Sequence, residues 1–218
     1  MRTLHTWDVT PRQAIQLQKQ LCLSVILRNQ FDCVSTIAGV DVGFEDNGKI
    51  TRAAVAVLDF PSLQLQETAI ARIPTCFPYI PGLLSFREMP AVLAAVKKLS
   101  CDPDLYVCDG QGYAHPRRFG IACHLGVWLD KPAIGVGKSR LIGTSRPVAG
   151  EKGSWQMLVQ DNEIIGAVLR TRSNIRPVYI SVGHRLCLDT AIQYVFGCIT
   201  RYRLPETTRF AHRFASGL

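Results

Sequence analysis

The chain is short of acid, and its cysteines make no motif. Asp and Glu number 17 against 25 Lys and Arg, giving a formal charge of +8 and a pI near 9.2. That balance points to a polyanionic partner. None of the eight cysteines stands in a Cys-x-x-Cys pair, which argues against a zinc ribbon or a small disulfide scaffold. Free thiols, mostly buried, in a reducing cytosol are expected. No apolar stretch reaches bilayer length, and the N-terminus lacks the apolar centre and small-residue cleavage site of a signal peptide. A soluble cytoplasmic protein without a membrane partner is therefore expected. There is no repeat, low-complexity tract or linker-like break, so the expectation is one domain over residues 1–218. Hydrophobic residues make up 47% of the chain, which excludes wholesale disorder.

Two aspartates carry the most information. Asp41 stands in the run Ile37-Ala38-Gly39-Val40-Asp41-Val42-Gly43, and Asp109 ends Leu105-Tyr106-Val107-Cys108-Asp109-Gly110. Both runs read as short buried strands closed by glycine. A carboxylate at the end of a core strand costs desolvation energy unless something positive meets it. If the strands lie side by side and parallel, both carboxylates open on one crevice, where open α/β sheets bind ligands. The pair suits a hard cation such as Mg²⁺. Asp-Gly is also ordinary turn chemistry.

The remaining pattern predicts a mixed α/β sheet. Thr10-Pro11-Arg12-Gln13 reads as a helix start, with the helix running to about Asn29. Strands are expected near 36–44, 51–59 and 64–73, joined by short turns into an antiparallel meander. Helices follow near 86–99 and 117–129, around a strand ending at Asp109. Strands are expected at 131–137, 155–160, 163–171 and 177–182. Asp189 is expected to cap a helix continuing to about Thr200, and Pro205 to open a last helix ending near Gly217. Meander strands are antiparallel and helical crossovers give parallel ones, so the fold class is an α/β layer structure around a mixed sheet.

Other candidate residues lie between and beyond the aspartates. Glu88 in Ser85-Phe86-Arg87-Glu88 fits a capping box as well as it fits a catalytic carboxylate. After Asp109 come two glycines that allow close backbone approach, then His115 and Arg117-Arg118, which could meet phosphate at a helix start. Lys138 follows a strand in Gly135-Val136-Gly137-Lys138, another candidate phosphate contact, although the spacing is not that of a P-loop. His212 sits on the last helix, where a histidine is ordinarily solvated. Pro78-Tyr79-Ile80-Pro81-Gly82 is a stiff turn.

Taken together, Ile37–Phe44, Thr51–Ala54, Pro78–Glu88, Val107–Gly120, Ile134–Leu141, Ser181–Arg185 and Tyr202–Arg213 resemble the endonuclease V family. These are deaminated-base endonucleases of the ribonuclease H-like superfamily. The resemblance implies a ribonuclease H-like mixed β-sheet flanked by helices and a site that uses Mg²⁺, with Mn²⁺ as a substitute. It implies that Asp41 and Asp109 bind metal, and that Glu88 and His212 complete the acidic centre. Tyr79 corresponds to a wedge entering the duplex at the lesion. Gly82, Leu84, Gly110 and Ile121 correspond to the pocket for a flipped base, and His115 and Lys138 to positions near the scissile strand. Gln111 is a variable point to which no catalytic consequence attaches.

The implied activity is a nick at the second phosphodiester bond 3′ to hypoxanthine, initiating repair. DNA containing deaminated bases is the implied partner, with inosine-containing RNA as a further one, and the implied state is a monomer. Two alternatives compete. A structure-selective nuclease of the same fold has no use for the Pro-Tyr-Ile-Pro wedge. A binder without catalysis gains nothing from carboxylates facing phosphates.

Overall fold

The computed structural model describes residues 3–217. One eight-stranded sheet runs through it, built from β1 (Thr36–Glu45), β2 (Ile50–Asp59), β3 (Leu65–Pro74), β4 (Leu105–Asp109), β5 (Ala133–Gly137), β6 (Trp155–Gln160), β7 (Glu163–Leu169) and β8 (Val178–His184). Their order across the sheet is β3-β2-β1-β4-β5-β8-β7-β6. The first three form the expected meander, β1, β4 and β5 run parallel, and β8, β7 and β6 return antiparallel. Among the described residues there are five α-helices: α1 (Pro11–Leu21), α2 (Leu84–Val96), α3 (Ile121–Leu129), α4 (Leu188–Gly197) and α5 (Glu206–Ala215).

The period-two alternation of the strands divides the core between the two faces. Ala38, Val40, Tyr106 and Cys108 pack with Met89 and Val92 of α2 and with Leu125 of α3. Ile37, Leu105 and Val107 face the other way, toward Ile192 and Val195 of α4 and Phe210 of α5. Asp41 and Asp109 continue this second parity, so both carboxylates face the α4–α5 side. Val40 pairs with Cys108 across the parallel ladder, which makes the two aspartates neighbours at adjacent strand ends.

Glycine lets α5 come close. A Cβ on Gly39 would lie 1.9 Å from the Thr207 carbonyl oxygen, and one on Gly43 would lie 2.5 Å from that of Ala215. Both glycines share the parity of Asp41. The backbone of α5 therefore lies directly against β1, at a separation that only residues without a Cβ allow.

Several local expectations needed correction. The capping box of Thr10 and Gln13 forms, but α1 stops at Leu21 instead of running to Asn29. Beyond a single 3₁₀ turn the backbone is taken by other partners. The Ile26 N–H donates to His184 Nδ1 (3.2 Å) and the Gln30 N–H to the Arg185 carbonyl (3.0 Å). The third helix begins at Ile121, not 117, because His115–Arg118 forms a tight turn with Arg118 at φ +54°. Asp189 lies in the first turn of α4, but Cys187 is the cap position and contributes no side-chain bond. All eight cysteines are free, yet only Cys108, Cys123 and Cys198 are buried, and Cys33, Cys76 and Cys101 are exposed.

Candidate active site

The parallel ends of β1 and β4 open on a crevice that α5 closes from one side. Asp41, Asp109 and His212 each offer a ligand atom, and these atoms lie within 4.8 Å of one another. Asp41 is held firmly: Oδ1 accepts the Val42 N–H (2.8 Å) and Oδ2 lies 2.7 Å from His212 Nδ1. That contact leaves Nε2 as the open nitrogen of an imidazole more than half exposed. Asp109 is paired with Lys138 at the end of β5.

Glu88 reaches this group from α2 on the opposite face of the sheet. Its capping-box reading fails: Leu83 is the cap position of α2 with no side-chain bond, and Ser85 Oγ lies against His124 Nδ1 at 3.0 Å. The carboxyl of Glu88 is buried, and burial followed by repulsion from Asp41 and Asp109 pushes its pKa up to about 8. Burial and the charge of Asp109 also raise Asp41, against the opposing contact with His212. Two carboxyls whose ionisation is disfavoured beside the charge of Asp109, with an imidazole next to them, fit a divalent cation. Asp41 and Asp109 are the residues placed to hold it, with His212 and Glu88 adjoining.

A cavity of about 340 Å³ adjoins the acidic group and shares Asp109, Gly110 and Lys138 with it. Its walls include Gly82, Leu84, Gly110 and Ile121, so the positions the resemblance implies for a base pocket lie together, and His115, implied for the scissile strand, lines the same cavity. The N-termini of α2 and α3 both reach this cavity at Leu84 and Ile121, and neither is capped by a side chain. Gly110 lies at φ +155°, and a Cβ there would meet Ile121 Cγ2 at 2.8 Å. Glycine thus keeps that wall open.

Tyr79 stands at the cavity rim, 70% exposed. Its neighbours Phe77, Ile80 and Leu83 anchor the turn into a cluster with Phe86 and Trp7. The ring is therefore presented outward on an anchored segment, not packed onto the core.

His115 and the two arginines after it do something other than the sequence suggested. His115 is buried, with Nε2 3.0 Å from the Gly82 carbonyl and Nδ1 accepting the Arg117 N–H. Burial, with Arg117 close by, lowers it to about 4. Arg117 is tied to Gln18 and the Gly82 carbonyl, and Arg118 to Glu163 at 2.7 Å. These guanidinium groups brace the cavity from behind, and neither lies at a helix start. Sequence reasoning passed over Gln18, whose Nε2 donates to the Gly82 and Phe119 carbonyls (3.0 and 3.1 Å). A single glutamine on a half-apolar helix gives no signal. Gln111, set aside as variable, lines the cavity and donates to the Ser139 carbonyl at 3.0 Å.

An antiparallel meander leading into parallel strands, with carboxylates at their adjoining ends, gives a ribonuclease H-like mixed sheet flanked by helices that carries a group of side chains able to hold a cation. The chain belongs to the endonuclease V family, whose sequence profile matches residues 16–213. It is 58% identical to the endonuclease V of Rippkaea orientalis, over 94% of this chain and 89% of that one. The crystal structure of endonuclease V from Streptomyces avermitilis superposes with a TM-score of 0.92 at 42% identity, covering 96% of this chain and 93% of that one. Endonuclease V of Ciona intestinalis superposes with a TM-score of 0.83 at 25% identity, covering 94% and 95%. That structure holds a DNA 24mer containing an inosine followed by a ribo-adenosine.

Proposed function

We infer that this protein recognises hypoxanthine in nucleic acid and hydrolyses the second phosphodiester bond on its 3′ side, with Mg²⁺ as the cation. The observation that carries this reading is the adjacency of the two sites. A cavity with two uncapped helix N-termini at its walls opens beside an acidic crevice and shares residues with it. A base drawn from the stack into the cavity would leave its own strand lying across the carboxylates.

The residues divide the work. Asp41 and Asp109 would hold the cation, and a cation there would supply charge relief for the attacking water and the leaving oxygen. Glu88 and the open Nε2 of His212 would orient that water. Lys138, already against Asp109, turns to a phosphate oxygen as the strand enters. Backbone N–H groups at Leu84 and Ile121 face O6 of hypoxanthine, and adenine places a donor amino group there instead. Tyr79 stacks into the space the base vacates. Gly82 and His115, hydrogen-bonded to each other, keep the pocket wall in place. The eight free thiols fit a reducing cytoplasm.

The test uses matched single- and double-stranded DNA and RNA oligonucleotides, each carrying one hypoxanthine or one adenine, with a branched duplex alongside. The reading predicts Mg²⁺-dependent nicking one nucleotide beyond the hypoxanthine and its loss on chelation. Faster cutting of the branched duplex than of hypoxanthine strands would favour a structure-selective nuclease.

A further inference from the structure

Behind the cavity lies a row of hydrogen bonds that the proposed mechanism does not use. It starts at Thr6, runs through His5 and His124, and ends at Ser85 on the cavity wall. His5 Nδ1 lies 2.6 Å from the Thr6 carbonyl oxygen, His5 Nε2 lies 2.9 Å from His124 Nε2, and His124 Nδ1 lies 3.0 Å from Ser85 Oγ. The two imidazoles are packed among Trp7, Phe86 and Trp128. His124 is fully buried and Ser85 nearly so.

The direction of each bond follows from the first. A carbonyl oxygen only accepts, so His5 Nδ1 carries its proton. Burial lowers the pKa of both rings, His124 farthest, so each is neutral and has one N–H. His5 Nε2 is then an acceptor, and His124 Nε2 must donate to it. That leaves His124 Nδ1 as an acceptor, and the Ser85 hydroxyl must donate to it. Its only proton is committed away from the cavity, and what Ser85 Oγ has left is acceptor capacity.

We propose that Ser85 is a specificity-determining residue whose Oγ, fixed as an acceptor by the His124–His5–Thr6 row, receives the N1–H of a 6-oxopurine in the cavity. Hypoxanthine carries a proton on N1. Adenine has a bare N1, and two acceptors facing each other repel. A site built around a hydrogen bond rejects the analogue that lacks it. The inference deepens the proposed function and rests on that reading. It adds a side chain that reads N1 to backbone groups that read O6.

The probe is 6-methoxypurine, which keeps an oxygen at C6 but has a bare N1. Single-turnover nicking rates are measured on duplexes carrying hypoxanthine, 6-methoxypurine or adenine, for wild type, Ser85→Ala and His5→Ala. Wild type should prefer hypoxanthine to 6-methoxypurine. Ser85→Ala should shrink that preference on the order of tenfold, the rate equivalent of about one neutral hydrogen bond. His5→Ala lies outside the cavity and lets His124 change tautomer. Ser85 can then donate to a bare N1, so the preference should narrow through faster cutting of 6-methoxypurine. That arm reads the polarity of the row even if Ser85→Ala proves too unstable to assay. An unchanged preference in both variants, with hypoxanthine still favoured over adenine, overturns the role of Ser85 alone. A wild type that fails to favour hypoxanthine over adenine overturns the proposed function itself.

Discussion

Replacing Gly39 with alanine tests whether the close approach of α5 to β1 is what assembles the acidic centre. The added Cβ would fall 1.9 Å from the Thr207 carbonyl oxygen, where ordinary contact begins at 3.4 Å. The obstacle is backbone on a helix packed against the sheet, so no rotamer change relieves it. The helix must retreat by about 1.5 Å or tilt by the equivalent. His212 lies on the same helix, 2.7 Å from Asp41. A retreat of that size lengthens the contact beyond hydrogen-bond range. Overpacking of this kind costs about 1–3 kcal/mol, or a fall in Tm of roughly 2–12 °C for a chain of this length. The rate should suffer more, because a misplacement of about 1 Å at reacting groups can cost on the order of 100-fold. The assay is single-turnover nicking of a hypoxanthine duplex at a temperature where far-UV circular dichroism shows the variant folded. A folded Gly39→Ala protein that cuts at the wild-type rate would refute the reasoning. The retreat of α5 would then be immaterial to the site.

Other substitutions probe separate parts of the account. Glu88→Gln should abolish nicking without loss of stability. The carboxyl, raised to about 8 from an ordinary 4.5, makes the metal-free fold lose stability as pH climbs through that window, and an amide removes the slope. A variant that melts earlier than wild type at pH 7.5 without metal yet cuts normally would restore the capping role. Tyr79→Ala should leave Tm and the response to Mg²⁺ unchanged, since the ring is 70% exposed, while lowering the ratio of hypoxanthine to undamaged-duplex cleavage. An unchanged ratio would show that the ring is no wedge. Acid should destabilise the fold through His115, held neutral with a pKa of about 4 against 6.5 in the unfolded chain. The unfolded state takes up the proton first, so stability is full above about pH 6.5 and falls by roughly 3 kcal/mol by pH 4. His124 acts in the same direction. His115→Gln should flatten the urea-midpoint profile over that range, and a profile identical to wild type would count against the assignment.

The parts of this molecule that could be read from sequence are those governed by local periodicity. The two aspartate strands carry short, continuous apolar runs followed by Gly43 and Gly110, so their burial was legible, and their common crevice followed once they lay parallel and adjacent. The Pro-Tyr-Ile-Pro turn announced its exposed ring through its own stiffness. What escaped were features that depend on residues far along the chain. Gly39 and Gly43 look like ordinary strand glycines until α5, some 170 positions on, lies against them. Ser85-x-x-Glu88 satisfies the capping pattern, but His124 takes the serine and the acidic crevice takes the glutamate. Arg117 and Arg118 look like phosphate contacts, but Gln18, Gly82 and Glu163 hold them. The end of α1 was misjudged for the same reason, because His184 and Arg185 capture the backbone that would have continued the helix.

The most direct test of the central claim, that the strand-end carboxylates and the adjoining cavity form one functional unit, is an Asp109→Asn variant assayed two ways on the same labelled hypoxanthine duplex. Asparagine keeps the shape of the side chain at a half-buried position and removes its charge. The account predicts that nicking in Mg²⁺ is lost while affinity for the hypoxanthine duplex, relative to an adenine duplex, is retained or increased. Fewer negative charges would then face the phosphates, and the cavity would be intact. A folded Asp109→Asn protein that nicks at the wild-type rate, or one that binds hypoxanthine and adenine duplexes alike when wild type does not, would contradict it.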